Sequence, residues 1–215
     1  QNIVPAGGQV DAESETPTGL MLGTGTRVVA TEKLHAQGNI ITTENALDLA
    51  ISGDGYFSVQ QADGTIAYTR DGGFKLSAEG SLVTAGGQAI LPAVVVPQNA
   101  ASLTIGRDGI VTVELANGGG SSQIGQLQLS RFVNNSGLQP IGRNLMQQTN
   151  ASGDPIVVIP GADGAGMLMQ GALEASNVNV VEEMVNMIET QRAYEVNSKA
   201  ISAADGMLRF LNNNL

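Results

Sequence analysis

Short alternating stretches of apolar and polar residues occupy the middle of the chain, between about residues 36 and 166. The clearest is GYFSVQQADGTIAYTRDGGFKL (55–76), in which Phe57 and Val59 share one strand face before an Ala-Asp-Gly turn signal. The stretch LTIGRDGIVTVEL (103–115) repeats this arrangement around its own Asp-Gly pair. Alternation with a period of two, interrupted by residues that tolerate positive φ, predicts antiparallel hairpins. Several hairpins in succession predict a sheet that curls into a barrel or a sandwich.

The pattern changes near Ser176, where helix-forming residues begin and continue almost to the C-terminus. Ser176, Asn177 and Asn179 are N-cap candidates, and Glu182 and Glu183 follow where the helix dipole favours negative charge. An apolar residue then recurs at every seventh position, with one further apolar residue between the first two. This seam consists of Val180, Met184, Met187, Tyr194, Ile201 and Leu208. Because the intermediate positions are otherwise partly polar, the pattern is weaker than that of a full coiled-coil zipper.

A helix of about 35 residues would be roughly 50 Å long at 1.5 Å per residue. That length exceeds a small β domain, so we expect much of the helix to extend beyond it. Acid-before-base pairs four residues apart, Glu195 with Lys199 and Asp205 with Arg209, add local support. Isolated helices nevertheless gain little stability from propensity alone. The seam therefore requires a helical partner outside these 215 residues.

The predicted fold class is α+β, with a mostly antiparallel β domain, barrel- or sandwich-like, and a long C-terminal α-helix. The N-terminal residues carry Pro, Gly, Ser and acidic side chains without periodicity, which predicts an extended connector. The expected divisions are the connector at 1–35, the core β domain at 36–170 and the assembly helix at 171–215. Since the chain begins at Gln1 and not at Met, we expect it to be a piece of a longer protein.

Charge and composition exclude several classes of partner. The formal net charge is −10, and only 10 Lys and Arg are spread along the chain. Phosphate binding needs a basic stripe, so neither nucleic acid nor an anionic membrane surface is expected as a partner. No apolar run approaches the roughly 18 residues that a membrane span needs, so membrane insertion is not expected either.

Residues that could carry chemistry are few. The sequence has no Cys and a single histidine, His35, which in an extended polar stretch is expected to be a surface residue. Gly23-Thr24-Gly25 lacks the third glycine of a dinucleotide fingerprint, and no G-x-S-x-G turn is present. The Asp-Gly pairs do not have the spacing of a calcium site and favour turns. We therefore predict no catalytic, cofactor-binding or metal-binding residues, and no enzyme activity.

Two stretches resemble a known family. EASNVNVVEEMVNMIETQRAYEVNSKAISAADGMLRFL (174–211) resembles the C-terminal helix of bacterial flagellar axial proteins, the rod, hook and hook-associated proteins. LDLAISGDGYFSVQQADGTIAYTRDGGFKLSAEGSLVTAGGQAIL (47–91) resembles the core β domain shared by rod and hook proteins. Within that family, residues 18–40 and 104–114 are most similar to distal-rod members. Family members begin with a helix bearing an NNLANV-like motif that this sequence lacks, so we expect the chain to begin just after that partner helix.

The resemblance implies a structural subunit of the distal rod, which polymerises into a hollow drive shaft and transmits torque to the hook. It implies that the terminal helices pair and pack against neighbouring subunits as the inner tube. It further implies export by the flagellar type III system and a location in the part of the basal body that crosses the periplasm. The implied partners are further copies of the chain, proximal rod and hook proteins, and the P and L ring proteins. No cofactor is implied.

Three alternatives stay open at this point. The chain could be a proximal rod or hook protein of the same family, although residues 91–170 leave no room for the additional outer domain of hook proteins. It could instead be a surface adhesin or phage tail component, rich in β-structure, that trimerises through its C-terminal helix. A glycan-active enzyme would need carboxylates clustered around a cleft. Sedimentation separates a trimer, which stops growing, from a helical polymer, which does not.

Overall fold

The structure, a computed structural model, describes residues 2–4, 9–11, 14–15, 20–21, 33–116 and 120–213. The chain divides into two compact units, Gln1–Leu34 and His35–Leu215. In the first unit the strands β1 and β4 pair antiparallel, as do β2 and β3. Their bounds are β1 Asn2–Val4, β2 Gln9–Asp11, β3 Ser14–Glu15 and β4 Leu20–Met21. The rest of the predicted connector, up to residue 32, lies outside the described residues.

The second unit consists of short strands followed by one long helix. The strands are β5 Ile40–Thr42, β6 Leu49–Ser52, β7 Tyr56–Gln60, β8 Ile66–Thr69, β9 Lys75–Leu76, β10 Leu82–Val83, β11 Ala89–Leu91, β12 Ala100–Ile105, β13 Ile110–Leu115, β14 Ser121–Gln126, β15 Leu129–Arg131, β16 Gln139–Gly142, β17 Leu145–Gln147, β18 Ile156–Val158, β19 Met167–Gln170 and β20 Ala172–Glu174. A turn of 3-10 helix spans Asn135–Gly137, and the helix α1 spans Val180–Asn213.

Strand β7 is the centre of the largest sheet. Along one edge it pairs with β8 from Phe57 to Gln60, Phe57 opposite Thr69 and Val59 opposite Ala67. Its other edge is shared, because Tyr56 and Phe57 pair with β15 while the rest of the strand pairs with β11. The sheet therefore divides at β7 into two branches, one ending at β18 and the other continuing through β11 to β10 and β9.

The predicted hairpins are present, and the Asp-Gly pairs form their turns. Between β7 and β8, Asp63 accepts a hydrogen bond from the backbone N–H of Thr65 (2.9 Å), and Gly64 has a φ of +84°. Between β12 and β13, Asp108 accepts one from the N–H of Ile110 (3.2 Å). A side-chain acceptor followed by a residue free to adopt positive φ is what a tight hairpin requires.

One main core joins the strands of several sheets. Its buried side chains come from β6, β7, β10, β11, β12, β13, β15, β18 and β19. Phe74, Val94 and Leu127, in links between strands, also belong to it. Its largest fully buried side chains are those of Phe57, Leu49, Ile51, Leu82, Ile90, Leu127, Leu129 and Leu168. Phe57 also packs edge-on against Phe74, with ring centroids 5.0 Å apart. Sheets that enclose a common core have the layered arrangement expected of a sandwich.

A second, smaller cluster covers the opposite face of the β7–β8 hairpin. Tyr56 and Tyr68 lie there with Phe132, and the Tyr68 and Phe132 rings meet edge-on at 4.7 Å. Leu138 completes the buried set, with Met146 packed against it. Both faces of the hairpin are thus covered, which explains why Tyr56 and Phe57, neighbours on opposite faces, are both buried.

The predicted fold class is confirmed: the chain is mostly antiparallel β-structure with one long C-terminal helix. The helix contains 34 residues, so it is about 51 Å long. It begins at Val180, later than the predicted division at 171, since β20 and a short link precede it. Among the described residues, no helix is both long and apolar enough to cross a membrane.

Candidate assembly helix

Asn179 is the N-cap of the helix α1. Its side-chain Oδ1 accepts a hydrogen bond from the N–H of Val181 (3.2 Å), and its backbone carbonyl accepts the first helical bond, from Glu183 (3.0 Å). Of the other two candidates, Ser176 caps a turn just before the helix by accepting from Val178 (3.2 Å). An Asn that satisfies an otherwise unpaired N–H at the first turn fixes the start of a helix.

The predicted seam lies uncovered along the helix. Tyr194 is 76 % exposed and Met184 is 58 % exposed, values far from those of the β-domain core. The remaining described members, Val180, Met187 and Ile201, are exposed to a similar degree. The side chain of Leu208 lies outside the described residues. Their role in assembly stays a prediction, since the chain is described without a partner.

A second apolar row runs along the helix and was missed by the sequence analysis. Val185, Val196 and Met207 are spaced eleven residues apart, and all three are more than half exposed, at 57 %, 64 % and 69 %. At about 100° per residue, this row lies roughly 100–160° around the helix from the nearest seam residues. An eleven-residue period is the signal that could have revealed it. Val181 and Ile188, which are also exposed, lie between this row and the seam, so apolar side chains are not confined to the seam side of the helix.

Charge contacts contribute little to holding the helix together. In the described residues, the side chains of Glu195 and Lys199 do not form the expected salt bridge, and neither do those of Asp205 and Arg209. Within the part of the chain that the structure describes, the one ion pair joins Arg70 to Glu174. Every described side chain from Val180 to Met207 is exposed, so none of these side chains is packed into the core of the domain.

His35 is not the surface residue that the sequence suggested. It is partly buried, and its Nδ1 lies 3.2 Å from the hydroxyl of Tyr56. Burial raises the pKa of Tyr56, while the neighbouring Arg70 guanidinium, 5.8 Å from the ring centroid, acts in the opposite direction. The histidine is packed against a structural tyrosine because the segment before β5 folds back onto the domain, a contact with no local sequence signal.

One open groove of the β domain lies beside Arg143. The groove beside Arg143, of about 510 Å³, is lined mostly by uncharged polar residues and glycine. Its carboxylate, Asp71, accepts hydrogen bonds from the N–H of Gly73 (3.0 Å) and from Asn144 Nδ2 (3.2 Å), which assigns it to turn structure. In the described residues, no three His, Cys, Asp or Glu side chains lie close enough together to hold a metal ion.

Comparison with known proteins matches both the domain and the helix. Residues 50–113 match the family model described as Flagellar hook protein FlgE/F/G D1 domain. Residues 169–214 match the model described as Flagellar basal body rod FlgEFG protein C-terminal. These matches cover the strands β6 to β13 in large part, and the helix with the strands that precede it.

Individual relatives are similar over nearly the whole chain. The flagellar basal-body rod protein FlgG of Buchnera aphidicola subsp. Schizaphis graminum is 52 % identical over 211 residues, 98 % of this chain and 81 % of the relative. The FlgG of Borreliella burgdorferi is 46 % identical over 199 residues, 92 % of this chain and 75 % of the relative. The FlgG of Bacillus subtilis is 39 % identical over 197 residues, 89 % of this chain and 74 % of the relative.

These relatives are structural proteins of the flagellar basal body, and their similarity extends through the β domain and the uncovered helix alike. The chain belongs to the FlgG family of flagellar basal-body rod proteins.

Proposed function

We propose that this member of the rod family is a structural subunit of the distal rod, the hollow drive shaft that transmits torque to the hook. In this proposal α1 forms part of the inner wall of the shaft and the β domain forms its outer layer. Self-assembly with other basal-body components is what family membership implies. The proximal rod, the hook, and the P and L rings are the specific partners proposed here.

The observation that carries the proposal is the uncovered helix with apolar side chains on two sides. Fully burying the five described seam side chains, Val180, Met184, Met187, Tyr194 and Ile201, would contribute on the order of 10 kcal/mol before ordering costs. That is comparable to the whole stability of a typical domain. A helix with so much apolar surface is unsuited to remain in water in its working state.

The second row distinguishes a tube wall from a small closed bundle. In a trimer the helices face a single axis, so one seam is enough to cover them. Val185, Val196 and Met207 lie roughly 100–160° around the helix from the seam, so a trimer closed on the seam would leave them in water. Neighbours on both sides of each helix are what a continuous wall provides. Contacts that do not close on themselves also allow growth into a filament.

The proposal also covers the connector, the export route and the location of the subunit. The connector, residues 1–35, is proposed to pack on neighbouring subunits and to help fix the stiffness of the shaft. Subunits are proposed to reach the rod through the flagellar type III system and to lie where it crosses the periplasm. No catalytic step is part of the proposal, and a structural polymer requires none.

The experiment introduces charge into the seam. In the bacterium that makes this protein, Met187→Asp combined with Ile201→Asp is placed in the chromosomal copy. Burying two unpaired carboxylates between helices is prohibitive, so rods should not assemble. We expect basal bodies without hooks in electron micrographs and no swimming in soft agar, with normal amounts of the subunit by immunoblot. The purified variant should retain the melting temperature of the β domain.

The matched control is Asn186→Asp combined with Ser202→Asp. It adds the same charge to the same helix, at positions that lie between the two apolar rows. We expect rods and swimming close to those of the parent. If the seam variant assembles rods as well as this control does, α1 is not the assembly element and the proposed arrangement is wrong.

A further inference from the structure

The direction in which α1 leaves the β domain is set by the residues that precede it. The described side chains of the helix are all exposed, so none of them anchors it against the domain. What holds its root is a ribbon of two segments, residues 35–42 and 172–177, which we call the collar. The collar is the only described connection through which a load on the helix could reach the domain.

Backbone contacts join the two segments of the collar tightly. Strand β20 pairs with β5, and the N–H of Ala175 donates to the carbonyl of Asn39 (2.8 Å). Asn177 Nδ2 donates to the carbonyl of Ala36 (2.9 Å), close to the start of the helix. Gly38 allows this approach, because a Cβ atom there would lie 1.9 Å from the carbonyl oxygen of Ala175. The two segments therefore move as one piece.

Arg70 links this piece to the domain. It follows β8, and its Nη1 and Nη2 donate to the carbonyls of Gly55 and Gly53, each at 3.1 Å. Its Nε and Nη2 each lie 2.9 Å from Oε2 of Glu174, in β20. The other carboxylate oxygen, Oε1, accepts from the N–H of Gly38 (2.9 Å), in the facing segment. This charged pair thus contacts both segments of the collar. It adds to the backbone at the collar's ends, where the N–H of Gly171 donates to the carbonyl of Asp48 (2.8 Å), and to the contact of His35 with Tyr56.

The ion pair of Arg70 and Glu174 is held in a defined geometry. The side chains of Arg70 and Glu174 are only 19 % and 10 % exposed, so water does not readily replace their bonds. The planar guanidinium directs several donors at fixed angles, which a flexible ammonium group could not reproduce. Gln37 adds a second tie, donating to the carbonyl of Ile51 (2.9 Å) and accepting from the N–H of Gly53 (3.0 Å).

We infer that Arg70 and Glu174 are positioning residues, which fix the angle between α1 and the β domain within each subunit. Without the pair the collar stays attached through its backbone, but it can tilt on the domain. This inference concerns one chain and goes beyond the proposed function, so it can be tested whether or not the helix is the assembly element.

The test measures the spread of helix orientations directly. Ala62→Cys, in the β7–β8 turn, and Asn186→Cys, near the root of the helix, each receive a nitroxide label. The chain has no native cysteine, so these two sites are the only ones labelled. Pulsed electron–electron double resonance then gives the distribution of distances between the labels. An excess of unlabelled chain suppresses distances between different copies.

Glu174→Gln and Arg70→Gln should each widen the distance distribution by about twofold or more, because the collar gains orientations that the pair had excluded. Arg70→Lys keeps the charge but not the planar donors, so its width should lie between those of the parent and Arg70→Gln. Calorimetry on each variant verifies that the domain is folded. Because Glu174 lies outside the main core, Glu174→Gln still tests the inference if Arg70→Gln fails to fold.

The control is Arg131→Gln. Arg131 also donates through Nη1 to a backbone carbonyl, that of Asp163 (2.6 Å), which is not part of the collar. Its distance distribution should match that of the parent. The inference is overturned if Glu174→Gln leaves the distribution as narrow as in the parent, or if the control widens it as much as the collar variants do.

Discussion

The β domain and the helix α1 have similar shares of apolar side chains but opposite surroundings. In the domain, Leu49, Phe57 and Val59 are fully buried, and one core is shared by strands from several sheets. In the helix, Tyr194, Ile201 and every other described side chain up to Met207 are exposed. The domain completes its hydrophobic core within the chain, whereas the described apolar side chains of the helix are uncovered in the single chain.

Because of this difference, we expect substitutions that change the stability of the single chain and substitutions that change its assembly to lie in different regions. Substitutions in the core of the domain should act on the single chain, since those side chains pack against one another within it. Substitutions in the helix should leave the single chain almost unchanged and act when subunits meet. The following predictions test that separation, beginning with the largest effect.

The same kind of truncation should have very different effects in the two regions. Phe57→Ala removes a fully buried ring that packs against Phe74, and should lower the free energy of unfolding by about 3–5 kcal/mol. Tyr194→Ala removes a ring that is 76 % exposed, and should change that free energy by less than about 0.5 kcal/mol. Urea denaturation of the purified chains, followed by circular dichroism, measures both. Equal losses would mean that the helix is part of the domain's cooperative core.

Replacing glycine by alanine should destabilise the domain but stabilise the helix. At Gly72 a Cβ atom would lie 1.6 Å from the carbonyl oxygen of Leu49, so Gly72→Ala should destabilise the domain by about 1–3 kcal/mol or more. At Gly206, inside the helix, a Cβ atom would meet nothing within 4 Å. Gly206→Ala should therefore favour the helix by up to about 1 kcal/mol. Melting temperature reports the first change and helical ellipticity the second; a less helical Gly206→Ala chain would contradict this reasoning.

The smallest effect is electrostatic and lies in a surface turn of the domain. The Thr65 hydroxyl (2.6 Å) and the Thr65 N–H (2.9 Å) donate to Asp63, and these hydrogen bonds lower the pKa of that carboxyl. A lowered pKa in the folded state stabilises the fold above the unfolded pKa, and this contribution is lost as pH falls through the folded pKa. Thr65→Val removes the hydroxyl donor, so the pKa of Asp63 should rise in an NMR titration. An unchanged pKa would assign the shift to the backbone N–H alone.

Local patterns in the sequence were sufficient for the hairpins. Alternation around Asp63-Gly64 and Asp108-Gly109 predicted the turns between β7 and β8 and between β12 and β13, because turn chemistry and strand period are local properties. The switch to helical residues predicted α1 for the same reason. The sequence does not select the start of the helix, since three capping residues precede Val180 and only the hydrogen bonds of Asn179 select among them.

Contacts between distant parts of the chain could not be predicted in this way. The pairing of β6 with β19 and the bond between Arg70 and Glu174, 104 positions apart, depend on how the sheets close. The same closure brings His35 against Tyr56, which the sequence analysis did not anticipate. The second row on the helix is different, since its eleven-residue spacing is visible in the sequence. It was missed because a seven-residue period was considered alone.

The central claim is that α1 is uncovered in the single chain and covered in the rod. Hydrogen exchange measured by mass spectrometry tests it most directly, on the dilute chain and on isolated basal bodies under the same conditions. In the single chain, peptides from Val180 to Met207 should exchange within seconds, while peptides from β6, β7 and β19 stay protected. In basal bodies the helix peptides should become protected to a degree similar to the β strands. Protection of the helix in the dilute chain, or its rapid exchange in assembled rods, would contradict the account.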